Sequence, residues 1–163
     1  MKFSCNKKEF LALLRIASSV TSKHKFRMAI EYVKLVAEEC HVILAASDLD
    51  DEVTLQLTDF LIDEYGEVLL SRDNVKTIKD ILKSIEDKDI GIYSDGTTLS
   101  INGGQEIKLP DLNPKCFSVR NHNAEEYYET TASNLCKLID RVLFATDSDR
   151  RGDTVYAVVL CKL

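Results

Sequence analysis

The sequence predicts an α+β fold built from a repeated strand–helix–three-strand unit, with the helices on one face of antiparallel sheets. Three observations carry this. Helix caps at Asn6, Ser71 and Thr131 recur about 60–65 residues apart, each after a short strand. Each cap opens an apolar stripe of helical period. After the first two helices come short strands separated by turn residues. A spacing of this kind marks a repeat architecture and is read before any single motif. One helix and several strands per unit allow two units to share a layer of sheet, its other face partly solvated.

In order, residues 2–5 read as a strand. Asn6 then caps a helix from near Lys7, with Glu9 placed to reach back in a capping box. Phe10, Leu13, Leu14, Ala17 and Val20 form its apolar stripe. Residues 29–37, 41–46 and the alternating Val53, Leu55 and Leu57 are strands, the first two joined by a turn at Glu38-Glu39. Residues 59–66 read as a polar connection. The pattern restarts with a strand at 67–70, the Ser71 cap, a helix from near Arg72, and the stripe Val75, Ile78, Ile81, Leu82 and Ile85. Strands at 89–93, 97–102 and 105–109 follow, divided by Asp95-Gly96 and Gly103-Gly104 as hairpin turns. A third round offers a strand at 127–130, a helix from near Ala132 carrying Leu135, Leu138, Ile139 and Val142, and a β-type run at 154–161. The expected domains are 1–118, two full repeats; a linker at 119–126; and 127–163, the incomplete start of a second domain.

The chain has 163 residues, 45% hydrophobic and 29% charged, enough to bury a core without staples. Its five cysteines (Cys5, Cys40, Cys116, Cys136 and Cys161) are scattered and odd in number, which points to free thiols in a reducing cytoplasm. No secretory signal or membrane-length apolar run is visible, and the predicted location is the cytoplasm. A formal net charge of −6 disfavours indiscriminate nucleic-acid binding but leaves room for a local basic face.

Such faces occur on all three helices. On the first, Lys8, Ala12, Arg15, Ser19 and Ser22 fall on one line, and the segment 11–30 contains no acid but holds Arg15, Lys23, Lys25 and Arg27. On the second lie Arg72, Lys76, Lys79 and Lys83; on the third, Asn134, Lys137 and Arg141. Lys and Arg on a smooth face suit sequence-independent contact with phosphates. A charged helix face is more often merely solvated, and Asp73, Asp80 and Asp140 dilute the field. Recurrence at matching places in a repeat shifts the balance toward binding.

The start Met1-Lys2-Phe3, the Ser47-Asp48-Leu49-Asp50 stretch, the strand–helix at 70–82 and the helix Leu135-x-x-Leu138-Ile139-Asp140-Arg141 before the strand at 155–160 resemble the bacterial DNA polymerase III beta subunit, the sliding clamp. Order and spacing carry the likeness, which runs through essentially the whole chain. It implies a ring of strand–helix–strand domains whose helices face duplex DNA, without catalysis and without a cofactor. It also implies a replicative polymerase and a clamp loader as partners, and homodimer assembly. The DNA-binding positions it suggests are Lys8, Arg15, Lys23, His24, Lys25, Arg27, Arg72, Lys76, Lys79, Lys83, Lys137 and Arg141. The family's Gly-Arg-Pro loop is replaced by Lys23-His24-Lys25, and its Pro-Ala-Arg-Lys helix entry by Ser71-Arg72-Asp73-Asn74. Contact positions of the second domain fall on Asp149, Asp153 and Thr154. Clamps of this family have three domains per chain, so this sequence matches a fragment or a short relative without the polymerase-peptide pocket.

Other motifs are weaker. Asp48, Asp50, Asp51 and Glu52 lack the glycine and terminal glutamate of a calcium loop and read as an acidic turn, as do Asp147, Asp149 and Asp153. His24, His41 and His122 are far apart, and neither a nucleophile–base pair nor a phosphate loop is present. No enzyme and no metal site is expected. The alternative to DNA holding is a clamp-fold scaffold that binds protein through its sheet edges and not DNA.

Overall fold

A computed structural model gives the structure and describes residues 1–21, 32–47, 52–117 and 130–143. The chain divides into two units, Met1–Asn121 and His122–Leu163.

The first unit runs β1 (Lys2–Asn6), α1 (Lys7–Val20), β2 (Tyr32–Glu38), β3 (His41–Ser47), β4 (Glu52–Gln56), β5 (Phe60–Glu64), β6 (Gly66–Ser71), α2 (Arg72–Ser84), β7 (Asp89–Ser94), β8 (Thr98–Ile101) and β9 (Ile107–Lys108). Its strands form two antiparallel sheets, ordered β5-β1-β7-β8-β9 and β4-β3-β2-β6. The repeats share sheet by exchange. β1 opens the first repeat but pairs with β7 of the second, Phe3 opposite Ile92. β6 opens the second repeat but pairs with β2 of the first, Val33 opposite Leu70. Neither repeat can complete its sheet without the other.

Period-2 alternation puts Val33, Leu35 and Ala37 of β2 and Val42, Leu44 and Ala46 of β3 on the inner faces. There they meet Phe10, Leu14 and Ala17 of α1 and Val75, Ile78 and Leu82 of α2 in one core. α1 lies on β1, β3 and β4, α2 on β2, β6 and β9, and the two helices touch each other. On the outer face of the second sheet, Phe117 covers Ala45 and Leu69, so this side is less solvated than expected. Phe117 follows a 3-10 turn at Pro114–Cys116.

Residues 59–66, expected as a polar connection, contain a true strand. Phe60, Leu61 and Ile62 pair with Cys5, Ser4 and Phe3 at the sheet edge. The charges that disguised it, Asp63 and Glu64, point outward; Asp63 bonds Lys2 at 3.0 Å. Charge on an edge strand discourages pairing with another chain. Two turns also depart from expectation: Glu38 is the last residue of β2 and pairs with His41, so the first turn is Glu39-Cys40 and not Glu38-Glu39. Asn102 and Gly103 both have positive φ (52° and 66°), and Gly104 N–H donates to the Ile101 carbonyl at 2.9 Å. The turn is therefore centred on Asn102-Gly103, a pair that tolerates this geometry, and not on Gly103-Gly104. β9 is only two residues long. At Gly66 a Cβ would come within 2.9 Å of Met1 Cβ, so the close approach of β6 to the chain start requires glycine.

The caps hold with one revision. Asn6 Oδ1 accepts from Lys8 N–H (3.0 Å) and Glu9 N–H (3.3 Å). Glu9 does not reach back; its Oε1 accepts from the N–H and hydroxyl of Thr58, each at 2.8 Å. That fastens α1 to the β4–β5 connection. The full capping box belongs to α2, where Ser71 and Asn74 bond reciprocally and Asn74 Nδ2 also donates to the Lys108 carbonyl at 2.8 Å.

At the β7–β8 turn, the Asp95 carboxylate accepts from the N–H of Thr98 (2.7 Å), the N–H of Thr97 (2.8 Å) and both threonine hydroxyls. These bonds, that from Thr98 N–H foremost, pull its pKa down to about 2. A depressed carboxylate stabilises the fold above its unfolded pKa and loses that contribution as pH falls through its folded value. Asp95→Asn is therefore expected to lower the urea midpoint at neutral pH, with the difference from the parent shrinking between about pH 4 and pH 2. A pH-independent difference would show that the charge contributes nothing.

In the second unit the described element is α3 (Ala132–Leu143). Thr131 caps it as expected, its hydroxyl accepting from Asn134 N–H at 3.3 Å. Leu135 and Leu138 are 41% and 55% exposed. The strands expected at 127–130 and 154–161 lie outside the described residues but for position 130, which is not in a strand.

Candidate nucleic-acid interface

The chain sets the start of α1 beside the end of α2. Lys7 N–H donates to the Lys88 carbonyl at 2.9 Å, and Lys7 Nζ bonds the Ile85 carbonyl just past the last turn of α2. Lysine there also complements the negative end of the helix. Further along, Lys79 Nζ of α2 donates to Ser18 Oγ of α1, whose hydroxyl in turn donates to the Arg15 carbonyl. The two helices thus run side by side in opposite directions.

The sides turned away from the core carry the predicted rows. Lys8, Ala12, Arg15 and Ser19 of α1 are exposed, as are Arg72, Lys76 and Lys83 of α2. The α1 face is less uniform than its polar line suggests, because Ile16 is 47% exposed within it. Glu9, the one acid on α1, is occupied by Thr58. Burial would raise its pKa, but the bonds from the Thr58 hydroxyl and the Thr58 and Asp59 N–H groups outweigh that and hold it low.

Lys79 is the exception to exposure on α2. It is partly buried between the helices, and its pKa is lowered first by desolvation, then by the positive charges of Arg15, Lys83 and Arg72. Cations from two helices therefore converge on one amine. Ser18, the hydroxyl that receives Lys79, was not legible as part of this arrangement, since no periodicity within α1 reveals which residue meets a helix some sixty positions later. Lys83 is not free either: it pairs with Asp80 at 2.8 Å, both side chains well exposed. The Lys83 bond and charge, followed by the charge of Lys76, hold Asp80 below the usual carboxylate range. An exposed pair of this kind contributes little to stability, so its loss to a stronger anion is cheap.

Of the remaining predicted positions, Lys137 and Arg141 are exposed on α3, in the second unit. Lys23, His24, Lys25 and Arg27 lie outside the described residues, as do Asp48, Asp50, Asp51, Asp149, Asp153 and Thr154. Cys5, Cys40 and Cys136 are free thiols, with Cys5 pushed up to about 12, chiefly by burial. Among the described residues no group of three or more His, Cys, Asp or Glu is placed to hold a metal, and no helix is long and apolar enough to cross a membrane.

No curated protein matches the sequence. Solved structures do. The chain is similar to the pol III beta of Caulobacter crescentus (24% identity, TM-score 0.73, covering 92% of this chain and 40% of that one). It is likewise similar to the Pseudomonas aeruginosa sliding clamp bound to griselimycin (23%, 0.75, 93% and 41%) and to the Thermotoga maritima DNA polymerase III beta subunit (18%, 0.72, 91% and 40%). The sequence thus spans about two fifths of the length of these structures, and the likeness is one of fold. A family model, the N-terminal domain of the DNA polymerase III beta subunit, matches residues 1–129, and the chain belongs to that family.

Proposed function

We propose that this chain holds duplex DNA as part of a sliding-clamp processivity factor, through sequence-independent phosphate contacts and without catalysis. Lys8, Arg15, Arg72, Lys76, Lys79 and Lys83 supply the contacts from the first unit, and Lys137 and Arg141 extend them in the second. Lys23, His24, Lys25 and Arg27 belong to the same proposal on the sequence alone. One observation carries the reading: the exposed cations Arg15 of α1 and Arg72, Lys76 and Lys83 of α2 sit on helices that lie side by side, joined where Lys79 Nζ donates to Ser18 Oγ. A cluster of cations held that close is relieved by a polyanion. The exposed Leu135 and Leu138 support assembly with further protein, by homo-oligomerisation in the cytoplasm, with a polymerase and clamp loader as the wider partners.

Titrating a short duplex of arbitrary sequence at several salt concentrations tests this. The six cations of the first unit alone predict a slope of log affinity against log salt of about −5, and contacts from the second unit make it steeper. Two unrelated duplex sequences should give the same line. The protein-scaffold alternative predicts no binding or a flat line, and either outcome overturns the DNA reading.

A further inference from the structure

Lys79 combines three properties. Its amine lies in the seam between α1 and α2, held by the Ser18 hydroxyl rather than by a carboxylate. It is partly desolvated. Its charged surroundings are cationic: Arg15 from α1, and Arg72 and Lys83 from α2. Asp80, next to it in the chain, is engaged by Lys83. Lys2 and Lys34 make the contrast, since each is ion-paired, to Asp63 at 3.0 Å and to Glu67 at 2.8 Å. Lys76 has the helix but not the seam; it is exposed on the next turn.

We infer that Lys79 is a site of chemical acylation by anionic activated acyl donors, acyl phosphates above all, and that this modification weakens the basic face. The surrounding cations attract the donor's phosphate and orient its carbonyl toward the amine. The ammonium first loses a proton to water. The neutral nitrogen attacks the acyl carbon, an N–C bond forms, the C–O bond to phosphate breaks, and inorganic phosphate leaves with the electron pair and takes up the proton that the nitrogen sheds as it becomes an amide. Desolvation and like charge enlarge the neutral fraction of this amine, which is the nucleophilic form. Acylation removes one positive charge and leaves a neutral amide in the seam.

Only the loss of DNA contact rests on the proposed function; the acylation stands on the seam itself. The full chain is incubated with acetyl phosphate at neutral pH, and initial rates at individual lysines are read by peptide mass mapping. Lys79 should be modified about threefold or more faster than Lys76, with Lys2 slower still, since desolvation and like charge enlarge the neutral fraction at Lys79 while the bond to Asp63 diminishes it at Lys2. Arg15→Gln should slow Lys79 selectively while leaving Lys2 unchanged. A rate at Lys79 equal to or below that at Lys76, or no effect of Arg15→Gln, overturns the inference whatever the DNA result. Fast acylation without loss of DNA affinity would leave the site standing but remove its effect on the basic face.

Discussion

Phe10→Ala is expected to lower the stability of the first unit by about 3–5 kcal/mol, a large part of the 5–15 kcal/mol typical of a domain. Phe10 is 1% exposed, one turn into α1, and meets Phe3 of β1 edge to face, ring centroids 6.3 Å apart and planes at 72°. Such a pair adds to the area that both rings bury. Phe3 itself is bracketed by Ile92 on β7 and Ile62 on β5, so the cavity would open beneath the strand exchange that joins the two repeats. The surrounding strands are hydrogen-bonded on both sides of β1 and cannot collapse into the space. Urea unfolding followed by circular dichroism measures the loss. Lys8→Ala, two residues away and exposed, is the matched control and should change stability by less than about 0.5 kcal/mol. If both substitutions proved equally mild, α1 would be seated by something other than this ring.

The sequence shows the core side of this unit far better than its edges. Phe10, Leu14, Ala17, Val75, Ile78 and Leu82 are buried as their spacing demands, because a helix with one apolar stripe has one way to meet a sheet. Strand β5 was hidden because an edge strand is half charged by design, and a run of three apolar residues followed by two acids looks like a loop. The destination of β1 and β6 was hidden for a different reason. Period-2 alternation fixes which face a residue occupies but not which strand it pairs with, and exchange between repeats leaves no local mark. Glu9 illustrates the same limit at one residue. Its position fits a capping box, yet Thr58 offers two donors to one oxygen where the cap offers a single N–H. The exposed rows Lys8–Arg15 and Arg72–Lys76–Lys83 were legible from helical period alone. Their convergence on Lys79 was not, since it arises only when α1 and α2 are laid side by side.

That convergence sets the size of the remaining effect. Replacing Arg15, Lys76 and Lys83 together by Gln keeps a polar side chain and nearly the same helix propensity and removes three charges from two helices. Each phosphate contact contributes about 0.9 to the salt slope, so the triple variant should bind duplex DNA with a slope less negative by roughly 3. At about 50 mM salt one released counterion is worth close to tenfold in affinity, and the three together about a thousandfold. The loss should be the same for every duplex sequence, because no base edge is read. Lys83 has to leave Asp80, which holds it at 2.8 Å, before it can reach a phosphate. If that pair survives on DNA, the slope will change by about 2 rather than 3, and Asp80→Asn will restore the third contact in the parent protein. A second triple variant, Lys2, Lys108 and Lys115 to Gln, removes the same net charge from positions on neither helix. Its slope should match the parent. Equal losses in both triples would show that bulk charge, and not the α1–α2 face, governs binding, and the proposed interface would have to be abandoned.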